Sequence, residues 1–149
     1  MAAAFLFFGV LVLDQLVKGL IQVSCLPGES IPVIKGIFHI TYVLNPGAAF
    51  GLLENQTWFF ILAAAAISLA FVWYYPRLRR ECGFLHYGCV AMVAGAIGNL
   101  IDRIKMGLVV DFLDFRIWPV FNLADIAIVV GVISMVYAIL FRLKEDEES

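Results

Sequence analysis

Asn99 and Asp102 stand three residues apart, and Asn122 and Asp125 repeat that spacing at the start of the apolar stretch Phe121 to Phe141. An amide and a carboxylate three apart on a helix share one face. A carboxylate within hydrocarbon is costly enough to be a functional candidate unless a cation already neutralises it. Asp14 has Lys18 four residues on, the distance at which helical side chains meet, and reads as half of a structural ion pair. Asp102 is followed by Arg103 and Lys105, which can neutralise it. Asp114 shares a strand face with Arg116, whereas Asp111 lies on the other face. Asp111 and Asp125 are left with no local cation. If they meet in low dielectric both cannot stay ionised, and the pair holds one shared proton. The ionised member can then deprotonate a water while the protonated one donates to a carbonyl, the chemistry of an aspartic protease. The same residues allow a plainer role, with Asn122 capping a helix and Asp125 favouring its positive N-terminal dipole. Spacing alone leaves the two readings level.

Other chemistries find less support. Ser24 lies six residues from Lys18, a poor helical match for a Ser/Lys pair, and Cys82 with His86 lacks an oxyanion-hole signal. There is no Gly-rich phosphate loop, HExxH or GxSxG. Cys25, Cys82 and Cys89 are odd in number and contain no CxxC, so neither a disulfide nor a metal site is expected. His39 and His86 are isolated. No metal or cofactor is expected.

The elements that must position these groups are membrane helices. The chain has 149 residues, 63% of them hydrophobic and 15% charged, with a mean hydropathy of +0.97, far more apolar than a soluble domain. A formal net charge of −2 and the lack of a basic run among aromatics exclude a nucleic-acid partner. Four stretches are long enough to span, at about 2–23, 57–75, 83–101 and 120–141, so an all-α integral membrane protein is expected. Asp125 then lies five residues into its span, about 7 Å from the end.

Pro76 to Glu81 holds three arginines, and Arg142 and Lys144 follow the fourth span, which places that loop and both termini in the cytoplasm. The connections 24–56 and 102–119 then face outward. Within them Ile31 to Leu44 and Leu108 to Trp118 are rich in β-branched and aromatic residues and read as short strands at the membrane surface. Asn45-Pro46-Gly47-Ala48-Ala49-Phe50-Gly51 is a turn followed by small residues. Gly88, Ala91, Gly95 and Gly98 give helix three a face for close packing, and Ala63 to Ala66 suggest the same for helix two. Glu145 to Ser149 reads as a solvated tail. Leu20 to Cys25 faintly resembles the cleavage box of a removable leader. No basic segment precedes it and Asp14 and Lys18 interrupt its apolar core, so no leader is expected.

Five segments in order, Asp14-x-x-x-Lys18, Asn45 to Gly51, Gly95-Ala96-Ile97-Gly98-Asn99-Leu100-Ile101-Asp102-Arg103, Val109-Val110-Asp111-Phe112-Leu113-Asp114-Phe115 and Phe121-Asn122-Leu123-Ala124-Asp125-Ile126, resemble the bacterial lipoprotein signal peptidases (signal peptidase II). The resemblance covers nearly the whole chain. It implies one membrane-embedded peptidase domain over 1–149, with a small extracytoplasmic β-strand cradle and a short outer helix or lid. The activity implied is that of an aspartic endopeptidase of the bacterial cytoplasmic (inner) membrane, a monomer whose site lies near the outer face among membrane lipids. Its substrates would be diacylglyceryl-modified prolipoproteins, cut just before the lipidated cysteine. Position by position, Asp111 and Asp125 match the catalytic pair. Asn45, Asn99, Arg103 and Asn122 match positions that hold substrate backbone or the pair, and Asp14, Lys18 and Asp102 match supporting positions. Ala96 stands where the family often has a second glycine after Gly95, a departure that bears on helix packing.

Two rival readings differ in class. A small proton-coupled transporter or channel subunit would use the aspartates as a relay, and predicts polar residues deep in several helices and often an inverted repeat. Here the polar residues gather at one end of the spans. A non-enzymatic assembly subunit would need only the Gly/Ala faces and leaves the clustered aspartates unexplained.

Overall fold

The structure, a computed structural model, describes residues 1–47 and 56–142. In chain order the elements are α1 (Ala2–Ser24), β1 (Ser30–Ile34), β2 (Phe38–Asn45), α2 (Thr57–Leu78), α3 (Gly83–Met106), β3 (Val109–Asp114) and α4 (Leu123–Tyr137). A π-helical turn, Ala138–Arg142, continues α4. Among the described residues four helices are long and apolar enough to cross a membrane. Residues 48–51 of the Asn45 motif, Lys144 and the acidic tail lie outside the described residues, and the described residues of the outward connections form strands and turns but no separate outer helix.

Helix ends differ from the sequence expectation where it matters. Helix α3 runs past residue 101 to Met106, where Gly107 at φ 78 closes it and donates its N–H to the Arg103 carbonyl, a left-handed cap that glycine adopts without strain. Asp102 and Arg103 therefore sit on the last turns of α3 and not in an outward loop. Helix α4 begins at Leu123, because Phe121 is bonded across to Leu113 in an isolated bridge. Asp125 is thus the third residue of the helix, nearer its end than the expected five residues of depth. Helix α2 continues through Pro76 to Leu78.

Helix α3 is the centre of the bundle, packed against α1, α2 and α4. Its glycines bring α4 into near backbone contact, as their spacing predicts. A Cβ on Gly88 would fall 2.8 Å from the Gly131 carbonyl oxygen, and one on Gly95 would overlap the Ala124 carbonyl. Gly95→Ala is accordingly expected to cost about 2 kcal/mol and to lower the thermal midpoint of the purified protein. Gly19→Ala, where nothing lies within 4 Å, should leave it unchanged or raise it slightly. The alanines of α2 pack less closely than expected. None of its residues is buried, and Ala63 and Ala64 border a cavity.

At one end of the bundle β1, β2 and β3 form an antiparallel sheet in that order. Cys25, Tyr42 and Val110 make its small core, with Ile21 and Leu44 against them, so the sheet is seated on the end of α1. The register sets Val43 opposite Asp111, Asn45 opposite Val109 and His39 opposite Asp114. After β3 the chain reverses through Arg116 at φ 64, a left-handed conformation uncommon for a side chain of this size. Asp114 holds it, Oδ1 accepting the Arg116 N–H at 2.8 Å and Oδ2 its guanidinium at 3.0 Å. The reversal returns Phe121 to Leu113, with N–H to carbonyl distances of 2.8 and 3.1 Å, and delivers Asn122 beside Asp111.

Candidate active site

Asn122 is fully buried and caps α4. Its Oδ1 accepts the Asp125 N–H at 2.9 Å, and Asp125 Oδ2 accepts the Asn122 N–H at 3.1 Å, a reciprocal capping box. The plainer of the two sequence readings is therefore real, but it does not use the whole side chain. Asn122 Nδ2 donates to Asp111 Oδ1 at 2.7 Å, so one amide both caps the helix and binds the other aspartate. Asp111 Oδ2 accepts from Asn45 Nδ2 at 2.8 Å, and Asn45 Oδ1 in turn accepts the Gly47 N–H at 2.9 Å. Asp125 Oδ1 accepts from Asn99 Nδ2 at 2.7 Å.

Asp111 and Asp125 border one cavity of about 680 Å³, together with Asn45, Asn99 and Arg103. The rest of its wall is largely apolar and comes from α2, α4 and the 118–121 segment. Burial pushes the Asp111 carboxyl up to about 7, and the Asp125 charge adds to the rise, against the lowering by Asn45, Asn122 and Lys18. Asp114, on the same strand, behaves in the opposite way. Its burial is outweighed by hydrogen bonds from Thr41 and Arg116, which hold it below the usual carboxylate range. A carboxyl that can hold a proton at neutral pH thus borders the same largely apolar cavity as a second carboxyl group.

The supporting ion pairs differ in part from those expected. Lys18 meets Asp14 at 3.0 Å as the helical spacing predicts. It also meets Asp102 at 2.9 Å, so Asp102 is neutralised from α1 and not by Arg103 or Lys105. The reason is the length of α3. As a helical residue Arg103 points elsewhere, its Nη2 donating to the Gly47 carbonyl at 3.0 Å and its guanidinium lying 4.4 Å above the Phe60 ring. Lys105 donates to Gln15 Oε1 at 3.3 Å. Asp14 Oδ1 accepts the Ala124 N–H at 3.0 Å and so adds a second anionic cap to α4. Gly95 and Gly98 leave room for this approach, a Cβ on Gly98 falling 2.7 Å from Asp14 Oδ2. Sequence reasoning missed Gln15, whose Nε2 donates to Asp102 Oδ1 at 3.0 Å and to the Gly98 carbonyl at 3.2 Å. Its one signal was a polar residue next to Asp14 within an apolar helix.

Known proteins share this arrangement of sequence and fold. A family model described as signal peptidase (SPase) II matches residues 6–141. A lipoprotein signal peptidase of Moorella thermoacetica is 50% identical over 137 residues, 92% of this chain and 91% of that protein. One of Pelotomaculum thermopropionicum is 48% identical over 131 residues, 88% of this chain and 86% of that protein. A solved structure described as a bacterial membrane enzyme, obtained by the in meso method at 2.3 Å resolution, superposes with a TM-score of 0.89 at 32% identity, covering 99% of this chain and 93% of its own. Helices, sheet and sequence agree along almost the full length, and the chain belongs to the signal peptidase II family.

Proposed function

We propose that the chain is an aspartic endopeptidase that removes signal peptides from diacylglyceryl-modified prolipoproteins, cutting just before the lipidated cysteine. The observation that carries this reading is that Asp111 and Asp125 border one cavity and share the Asn122 side chain and backbone. Asp125, as the ionised member, takes a proton from water. Asp111, protonated near neutral pH, donates to the scissile carbonyl as the water attacks. Asn45, Asn99 and Asn122 hold the pair, and Arg103 braces the Gly47 backbone beside it. Asp14, Lys18 and Asp102 tie α1, α3 and α4 together beneath the pair.

In the bilayer the apolar cavity wall receives the signal helix and acyl chains, and the scissile bond enters at the sheet end. The arginine loop after α2 supports an orientation with that loop and both termini in the cytoplasm, which sets the cavity near the outer face of the inner membrane. The chain acts as one domain and as a monomer. The direct test incubates the purified protein in lipid with a diacylglyceryl prolipoprotein peptide across pH and identifies products by mass. A new N-terminal lipidated cysteine is expected, with turnover falling as pH rises above about 7, where Asp111 loses its proton. Cleavage at another bond, or a rate still rising well above that pH, contradicts the reading.

A further inference from the structure

Lys18 is 2% exposed, and its ammonium meets Asp14 Oδ2 at 3.0 Å, Asp102 Oδ2 at 2.9 Å and Asn99 Oδ1 at 2.9 Å. Three hydrogens have three acceptors, so none remains for substrate or water. The third contact leads to the aspartate pair. An ammonium can only donate, so the carbonyl oxygen of Asn99 must face it. Asn122 Nδ2, donating to the same oxygen at 3.1 Å, imposes the same orientation. The Asn99 amino group is thereby turned to Asp125 Oδ1, 2.7 Å away. A flipped amide would set its NH2 against an ammonium and a second NH2, and its carbonyl against a carboxylate. The Lys18 charge also reaches Asp111, but Asp111 is not hydrogen-bonded to an amide that Lys18 holds in the same way. Its amide partners are Asn122 and Asn45, and Asn45 is held by the Gly47 N–H.

We infer that Lys18 is a positioning residue of the cleavage reaction. Acting through the Asn99 amide, it keeps the negative charge on Asp125 and the shared proton on Asp111, so that Asp125 is the base toward water and Asp111 the acid toward the carbonyl. The inference rests on the aspartic reading above and adds which carboxyl takes which role. The other charged groups facing the pair do not make that choice. Asp14 from α1 and Asp102 from α3 are paired with Lys18 itself, and the Asp14 charge, which reaches Asp125, works against that choice. Arg103 from α3 donates to the Gly47 carbonyl and acts on both aspartates. From α2 and β2 the cavity is bordered by Phe60, Ala63, Ala64, Ile67 and Asn45, all uncharged.

Lys18→Met alone strands two buried carboxylates and risks the fold. Lys18→Met with Asp102→Asn keeps the net charge of the cluster unchanged. On the lipidated peptide this pair is expected to lower kcat about 10- to 100-fold with KM within about twofold. It should also move the acidic limb of the kcat–pH profile up by about one unit, since without the Lys18 contact the Asn99 amide is a weaker and less fixed donor to ionised Asp125. Asn99→Ala, which leaves the ion cluster whole, should move the limb the same way, and adding the Lys18/Asp102 changes to it should move the limb no further. An unmoved limb in a folded variant, a raised KM with kcat retained, or an equal added shift in the Asn99→Ala background overturns the relay. An unmoved limb in Asn99→Ala overturns the relay even where the Lys18 variants do not fold. Failure of the dyad itself reads differently, as activity retained in Asp111→Asn or Asp125→Asn.

Discussion

Replacing either Asp111 or Asp125 by asparagine is expected to reduce cleavage of a lipidated prolipoprotein by about 10⁴-fold, the scale of an essential general acid or base. An asparagine in place of Asp125 cannot take a proton from water, and in place of Asp111 it is a far weaker acid than a carboxyl whose proton is held to about 7. The substitutions spare the fold because asparagine keeps the shape. At position 125 its one carbonyl can still accept the Asn122 N–H that closes the capping box, so the loss is the acceptor for Asn99 Nδ2, about 1 kcal/mol. At position 111 one of the two amide donors, from Asn45 or Asn122, keeps an acceptor. Asp114→Asn is the internal control. Asp114 lies on the same strand but is bound to Thr41 and Arg116, and Arg116 is 49% exposed, so the lost pairing costs little and turnover should stay within a few-fold. The measurement is product formation by the purified, folded variants. Near-normal rates in either of the first two would remove the dyad from the mechanism.

Removing the diacylglyceryl group from the same peptide is expected to lower kcat/KM by at least about 10²-fold. The cavity holds about 680 Å³ behind walls that are mostly apolar, supplied by α2, α4 and the 118–121 segment. The alanines at 63 and 64 help to hollow it, and no residue of α2 is buried within the protein. Each methylene buried is worth about 0.8 kcal/mol, so contact with roughly four methylenes in the transition state supplies about 3 kcal/mol, or two factors of ten. On the proposed reading the acyl chains would also fix the cysteine at the membrane surface and so hold the preceding peptide bond at the level of the two aspartates. Matched rates for the lipidated and unmodified peptides, compared at equal membrane concentration, would show that lipid takes no part in recognition.

Much of this molecule was legible in its sequence, and the reasons can be given residue by residue. The spans were visible because hydrocarbon length fixes how many apolar residues a crossing helix needs. The glycines of α3 announced close packing because i, i+3 and i+4 positions share a face, and Gly88 and Gly95 do lie on the backbone of α4. Asp14 with Lys18, and Asp114 with Arg116, were found because their partners are neighbours in the chain. Asp114 nevertheless reaches Arg116 through a left-handed turn and not along one strand face.

Asp102 was assigned the wrong cation because spacing sees only near neighbours, while its partner Lys18 comes from another helix. Gln15 was overlooked for the same reason. The sequence alone determined the membrane setting, the number of spans and the two carboxylates that no local cation neutralises. The tertiary structure decided that these two border one cavity and bond the same asparagine. That depends on the path of the backbone, in which the Arg116 turn and the Leu113–Phe121 bridge carry Asn122 to Asp111 and start α4 at Leu123. It also decided that capping and the aspartate network are one arrangement, because the amide of Asn122 has an oxygen for the helix and an amino group for Asp111.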